Sequence, residues 1–374
     1  MNTTATPINR IPSIDALRGL LILLVVVGHV LQFSSPDYDS NLAFRLIYSF
    51  HMPLFIFISG YVSSNDSKTP WLTLKKRFLS LVIPFFAWLP LTFLWMNYSQ
   101  GESTISISDF IFQVIKSPDA GGLWFLWVLF LLNFLIIICR IISKIHTLTI
   151  ALAFYCLLNM IALLYPSSNI LGFKLVCWHF LFFIMGTAWR KYHASLQPSN
   201  GTMLISGLAF LMLFPIWQRV GNSSLELFFS DSPNIILLIV NRIYNYVTAY
   251  AAIFALLGLF GIYFDKFKPN FLVLRFFGSI TLEIYATHIY FISWGISLTS
   301  QFINYPLLRT TVIFLVALTG AVFTQAAIKR IDLISLIFFG KKPLINPGYK
   351  LQPYPQAQLQ DVFNRVLLKS TKRK

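Results

Sequence analysis

Ten times along this chain a run of mainly apolar residues persists for about 20 residues, the length an α-helix needs to cross the hydrocarbon core of a bilayer. The runs lie at approximately 14–33, 42–63, 78–98, 123–143, 147–165, 171–190, 202–219, 240–263, 277–298 and 308–328. Inside lipid no water satisfies a peptide N–H or C=O, so a spanning segment must bond its own backbone, and a helix does this within one segment. The expected fold is all-α: a polytopic transmembrane helical bundle of about ten spans. Composition agrees, with 56% hydrophobic and only 11% charged residues, against about 25% charged in a soluble domain. The 37 Phe, 16 Tyr and 9 Trp suit lipid contact and interfacial belts. Pro84 and Pro90 fall inside the third run, where kinks are expected.

The formal net charge is +16. On a soluble protein that balance would point to nucleic acid. Here it follows from the cytoplasmic excess of Lys and Arg in membrane proteins, and no nucleic-acid partner is expected. With the N-terminus in the cytosol and the spans alternating, 23 of the 29 basic residues fall inside. Only Arg45, Lys116, Lys174, Arg219, Arg242 and Arg309 fall outside. Both termini are thus expected to be cytoplasmic. Residues 1–330 read as one transmembrane domain and 331–374 as a cytoplasmic basic tail. The apolar stretch 333–339 is too short to span and is expected on the inner membrane surface. The outer connections 99–122 and 220–239 have room for a lid or a short surface helix. Cys139, Cys156 and Cys177 show neither metal-like spacing nor a disulfide framework, and no metal site is expected.

Ionisable groups at membrane depth cost several kcal/mol, so each is a functional candidate. The first run, IDALRGLLILLVVVGHV, holds Asp15, Arg18 and His29. Arg18 and His29 are eleven residues apart, close to three whole turns, and so share a face about 16 Å apart along the axis. Snorkelling toward the interface is the other reading of Arg18, and bridging between helices the other reading of His29. SFHMPLFIFISGY places His51 near the middle of the second run, two residues before Pro53. ITLEIYATHIY places Glu283 mid-membrane and His288 nearer the outside. Glu283 needs a partner, either His288 or a basic group from another span. His179, in the sixth run, has no evident constellation around it. Three histidines from three helices at similar depth suit proton transfer at a hydroxyl. Lys75, Lys76 and Arg77, together with Arg18, lie at the opposite, cytosolic face. There they suit a polyphosphate handle or simply mark topology.

These residues resemble the acyltransferase-3 family of membrane O-acyltransferases, which includes acetylases of O-antigen, other surface polysaccharides and enterobacterial common antigen. The opening run matches the family's acidic residue, Arg-Gly and histidine, and FHMPLFIFISGY its second span. GLWFLWVLFLL matches a Leu-Trp-Phe-Leu span start at Leu123 to Leu126. FLFFIMGTAWRKY resembles a Phe-rich span ending in glycine and basic residues. TLEIYATHIYFI matches a late pattern through Thr281, Leu282, Ile284, Tyr285 and His288. One departure concerns an arginine pair before the third span: Arg77 fits its first position, and Ser80 occupies the second.

The resemblance implies transfer of an acyl group, usually acetyl, from cytosolic acetyl-CoA to a sugar hydroxyl of a surface glycan or lipid-linked sugar across a bacterial inner membrane. It makes His29 the main catalytic residue and Arg18 its companion. Arg18, Lys75, Lys76 and Arg77 are expected to hold the CoA phosphates, and His51, His288 and Glu283 to orient groups or move protons. Whether His29 takes the acceptor's proton or carries the acyl group stays open. A proton-coupled transporter would also use intramembrane His, Glu and Arg, but no internal repeat supports it. In a third reading the buried polar groups only join helices.

Overall fold

The computed structural model describes residues 12–63, 69–99, 105–118, 122–165, 169–193, 195–219, 234–266 and 271–340. Most of the expected basic tail, 341–374, and the 220–233 part of the outer connection lie outside the described residues. Within the described residues there are fourteen α-helices and no strand.

In chain order the helices begin with α1, Pro12–Ser34, and α2, Leu42–Ser63, followed by α3, Pro70–Arg77, and α4, Ile83–Ser99. The middle of the chain forms α5, Ile107–Lys116, α6, Trp124–Ile142, α7, Thr147–Leu164, and α8, Phe173–Tyr192. Then come α9, Asn200–Leu213, and α10, Asn234–Lys266. The last four are α11, Leu272–Ser279, α12, Thr281–Thr299, α13, Pro306–Ile328, and α14, Asp332–Phe339. Eight stretches are long and apolar enough to span: α1, α2, α3 with α4, α6, α7, α8, α10 and α13. The other two expected spans are also helical but built differently. The seventh is α9, prolonged only by a 3-10 turn to Ile216. The ninth breaks at Ile280 between α11 and α12, and α12 carries buried Glu283 and His288.

Local chemistry explains the irregular places. Pro84 has no N–H for the Ser80 carbonyl, and the turn before it, Phe78–Val82, widens to a π-helical one that divides α3 from α4. The connection between α4 and α6 contains the short helix α5. Ser106 caps it, accepting from Asp109 N at 3.1 Å and donating to Asp109 Oδ2 at 2.6 Å. Phe110 and Val114 of α5 are buried while Ile107, Ile111 and Phe112 stay exposed, as on a helix lying along a membrane surface. The 333–339 stretch forms α14, which packs on α4. Phe339 is buried, and Trp88 Nε1 donates to Phe338 O at 3.0 Å.

Glycines set the helix crossings that carry the site. A Cβ on Gly19 would stand 1.8 Å from Leu274 O, and one on Gly278 1.7 Å from Asp15 O, so α1 and α11 touch backbone to backbone. A Cβ on Gly60 would stand 2.1 Å from Phe183 O, and one on Gly186 1.9 Å from Phe57 O, which seats α2 on α8. Between apolar helices in lipid, close approach is the main source of attraction, and small residues permit it. The glycines of the Arg-Gly, Ile-Ser-Gly and Met-Gly stretches are therefore contact positions. Thr187 Oγ1 adds a bond to Gly60 O at 3.2 Å across the second crossing.

Candidate functional site

Where α1, α2 and α12 converge, two imidazoles meet. His29 Nδ1 lies 2.7 Å from His288 Nε2, and the rings stack at 5.0 Å with 9° between their planes. A second bond fixes the tautomers. His288 Nδ1 lies 2.9 Å from Ile284 O one turn earlier on α12. A carbonyl only accepts, so Nδ1 of His288 holds the hydrogen and its Nε2 is bare. The 2.7 Å bond is then donated by His29 Nδ1. Neutral His29 is left with its Nε2 lone pair unspent. His288 is fully buried, whereas His29 is half-buried and reaches the edge of the packed interior.

His51 joins this pair through Tyr48. The Tyr48 ring meets His51 at 4.8 Å and His29 at 6.5 Å, both edge-on. His51 Nδ1 donates to Ile47 O at 2.7 Å, in the turn that Pro53 loosens by leaving the Ser49 carbonyl without its helical N–H. Gly28 lets the Tyr48 ring lie on the α1 backbone, since a Cβ there would sit 3.0 Å from Tyr48 Cε2. Tyr285 ties α12 to the start of α6: its hydroxyl donates to Gly122 O at 3.3 Å and accepts from Phe125 N at 3.3 Å. Two of the recognised sequence stretches thus meet at one phenol. A shallow cleft lined by Phe33, Trp95, Ile289, Ile292, Ser293 and Ile296 opens nearby, with the Phe33 ring 6.1 Å from that of His29 and neither histidine in its wall.

The other expected site residues lie elsewhere. Glu283 is buried in the first turn of α12, about 7.5 Å of helix rise before His288. Its carboxylate pairs with Lys329, just past α13, at 3.7 Å. The partner is thus a basic group from another span, the second of the two expected possibilities. Arg18 is half-buried one residue before the Gly19 crossing. Lys75 and Lys76 are exposed on the last turn of α3, and Arg77 is half-buried at the π turn. All four lie at the end of the bundle away from His29. Separate helix pairs supply them, α1 packing on α11 and α3 on α6.

Sequence reasoning passed over Tyr48, Gln32 and Arg219 as site residues, and set His179 lower because nothing nearby in sequence makes a constellation with it. The first two had a signal, because Tyr48 precedes His51 by three residues and Gln32 follows His29 by three, the spacing of side chains stacked on one helix face. His179 takes its place through packing. The α2–α8 crossing sets it near the level of His51, its Nδ1 donates to Leu175 O at 2.8 Å, and its ring lies 5.2 Å from Trp124. Arg219 comes from a distant stretch of chain that no local pattern connects to His29.

Comparison with known proteins agrees with this architecture. Two nodulation proteins NolL are similar to part of the chain. The one from Mesorhizobium japonicum is 32% identical over 153 residues, 38% of this chain and 38% of that protein. The one from Sinorhizobium fredii is 33% identical over 148 residues, 36% of this chain and 39% of that protein. Each match thus spans under two-fifths of the curated relative's length. No solved structure matches. The acyltransferase-3 family model, described as an acyltransferase domain, matches residues 11–326, which takes in every helix from α1 nearly to the end of α13. This multi-pass membrane protein belongs to the acyltransferase-3 family.

Proposed function

We propose that the protein transfers an acetyl group from acetyl-CoA on the cytosolic side to a sugar hydroxyl of a surface glycan or lipid-linked sugar on the other side of a bacterial inner membrane. What supports the reading is the His29–His288 contact, which leaves one bare imidazole nitrogen at the edge of a protein interior. Arg18, Lys75, Lys76 and Arg77 hold the nucleotide phosphates, and the pantetheine arm carries the thioester along the bundle toward His29. His29 Nε2 takes the proton of the acceptor hydroxyl as its oxygen attacks the thioester carbonyl. The tetrahedral adduct collapses with cleavage of the C–S bond, and the proton passes from Nε2 to the departing CoA thiolate. While His29 carries the extra proton, the bare Nε2 of His288 receives the stronger hydrogen bond of an imidazolium. The same nitrogen also serves a two-step order: it attacks the thioester carbonyl, the C–S bond breaks with CoA leaving as the thiolate, and the acyl-imidazolium passes its acyl group to the hydroxyl, whose proton is taken by the freed Nε2 and offsets the thiolate's charge.

The test is transfer of radiolabelled acetyl from acetyl-CoA to glycolipid in membranes containing the protein. His29→Gln is expected to remove transfer while the purified variant keeps its elution volume and melting temperature. Transfer by His29→Gln at the parental rate would refute the assignment.

A further inference from the structure

The rim above His29 is polar, aromatic and unused by the chemistry just described. Gln32 Oε1 accepts from the Tyr48 hydroxyl at 2.6 Å, one turn beyond His29. On the far side of Tyr48 stands Arg219. Its Cζ lies 5.4 Å from the Tyr48 centroid, 5.4 Å from that of Tyr38 and 5.7 Å from that of Phe44. Arg45 fastens the segment leading to it, with Nε donating to Trp217 O at 2.9 Å and Nη2 to Pro215 O at 2.8 Å. The guanidinium is therefore placed against ring faces, which attract a cation. Its buried Nε makes no hydrogen bond to the described residues. Asp39 Oδ1 is 3.8 Å from that Nε, an ion pair too long for a hydrogen bond and half open to solvent. The Arg219 side chain keeps 27% of its surface exposed, so it faces outward as well as toward the site.

A preset guanidinium with donors to spare suits a carboxylate or a phosphate. The flanking aromatic faces and the Tyr48–Gln32 pair suit the faces and hydroxyls of a sugar ring. The Tyr48 ring neighbours both groups, its centroid 5.4 Å from Arg219 Cζ and 6.5 Å from that of His29. We infer that Arg219, Tyr48 and Gln32 form the acceptor subsite, and that the acceptor sugar carries an acidic group which Arg219 binds while a nearby hydroxyl is presented to His29. Asp39 holds the place of that group until it arrives. This inference rests on the acyl-transfer reading above and names its acceptor class.

The experiment measures binding, so that it does not depend on turnover. Purified full-length protein in lipid nanodiscs is titrated with glucose 6-phosphate, glucuronate, glucose and inorganic phosphate, with thermal stabilisation as the readout. The acidic sugars are expected to bind at least about tenfold more tightly than glucose, both in the parent and in His29→Gln, by an ion pair of the strength typical for a charge-assisted contact. A preference for one acidic sugar over the other distinguishes phosphate from carboxylate, and binding of inorganic phosphate alone at equal strength would overturn the sugar subsite. Arg219→Gln is expected to abolish the preference, and Asp39→Asn to increase it, because the competing carboxylate is gone. Equal binding of glucose, or an unchanged preference in Arg219→Gln and Asp39→Asn, overturns the inference. Acetyl transfer that is intact while those variants bind like the parent sinks the subsite alone. Arg219-dependent binding without any His29-dependent transfer sinks the transferase reading alone.

Discussion

A neutral imidazole gives one hydrogen and takes one, and the Ile284 carbonyl decides which nitrogen does which at His288. That choice passes across the 2.7 Å contact to His29 and leaves its Nε2 bare. In the proposed mechanism His288 is a positioning residue. His288→Ala is expected to lower kcat by about a hundredfold, the usual scale of general acid–base assistance, while KM for both substrates stays within about twofold. A rise in KM with kcat unchanged would assign His288 to binding instead. At the far end of the bundle, Lys75→Glu with Lys76→Glu is expected to raise KM for acetyl-CoA about tenfold, the loss of an electrostatic phosphate handle. The same variant should turn over a short acetyl thioester without a nucleotide as the parent does, and equal losses with both donors would contradict the handle. Much of this residue-level picture was legible in sequence, since an ionisable group inside an apolar run is conspicuous. The partnership of His29 with His288 was not, because 259 residues separate them and only helix packing brings them together. Glu283 was likewise legible as a carboxylate in need of a partner, while its pairing with Lys329 depends on how α13 packs against α12.

At the scale of elements, glycine placement explains why α1 and α2 hold their histidines where they do. Gly60→Leu is expected to part α2 from α8 and to lower stability by about 1–3 kcal/mol, as overpacking does, with lost activity as a consequence. Gly207→Ala is the control, because its Cβ would meet only Ala255 Cβ at 4.0 Å. It should leave stability unchanged or raise it by up to about 1 kcal/mol through helix propensity. Chemical denaturation in detergent distinguishes them, and similar midpoints for the two variants would contradict the crossing. Each of the ten apolar segments is helical, and eight are long and apolar enough to span, but hydropathy could not see how they break. The third divides at the π turn before Pro84, the seventh ends early, and the ninth restarts at Ile280. Helix breaks depend on a single missing N–H or a local packing contact, which a window of about 20 residues averages away.

Across the described residues the groups assigned to donor and acceptor in the proposal lie toward different ends of α1. Arg18 and the Lys75–Arg77 turn lie at one end. Arg219, Tyr48 and Gln32 lie at the other, beside His29. Such a layout suits a donor and an acceptor that never share a compartment. The most direct measurement uses sealed proteoliposomes of known orientation, with radiolabelled acetyl-CoA on the side of Lys75 and acceptor glycolipid confined to the side of Arg219. Label is expected to reach the acceptor with the parent protein and not with His29→Gln. Labelling that requires both substrates on one side, or that continues in His29→Gln, would contradict the reading.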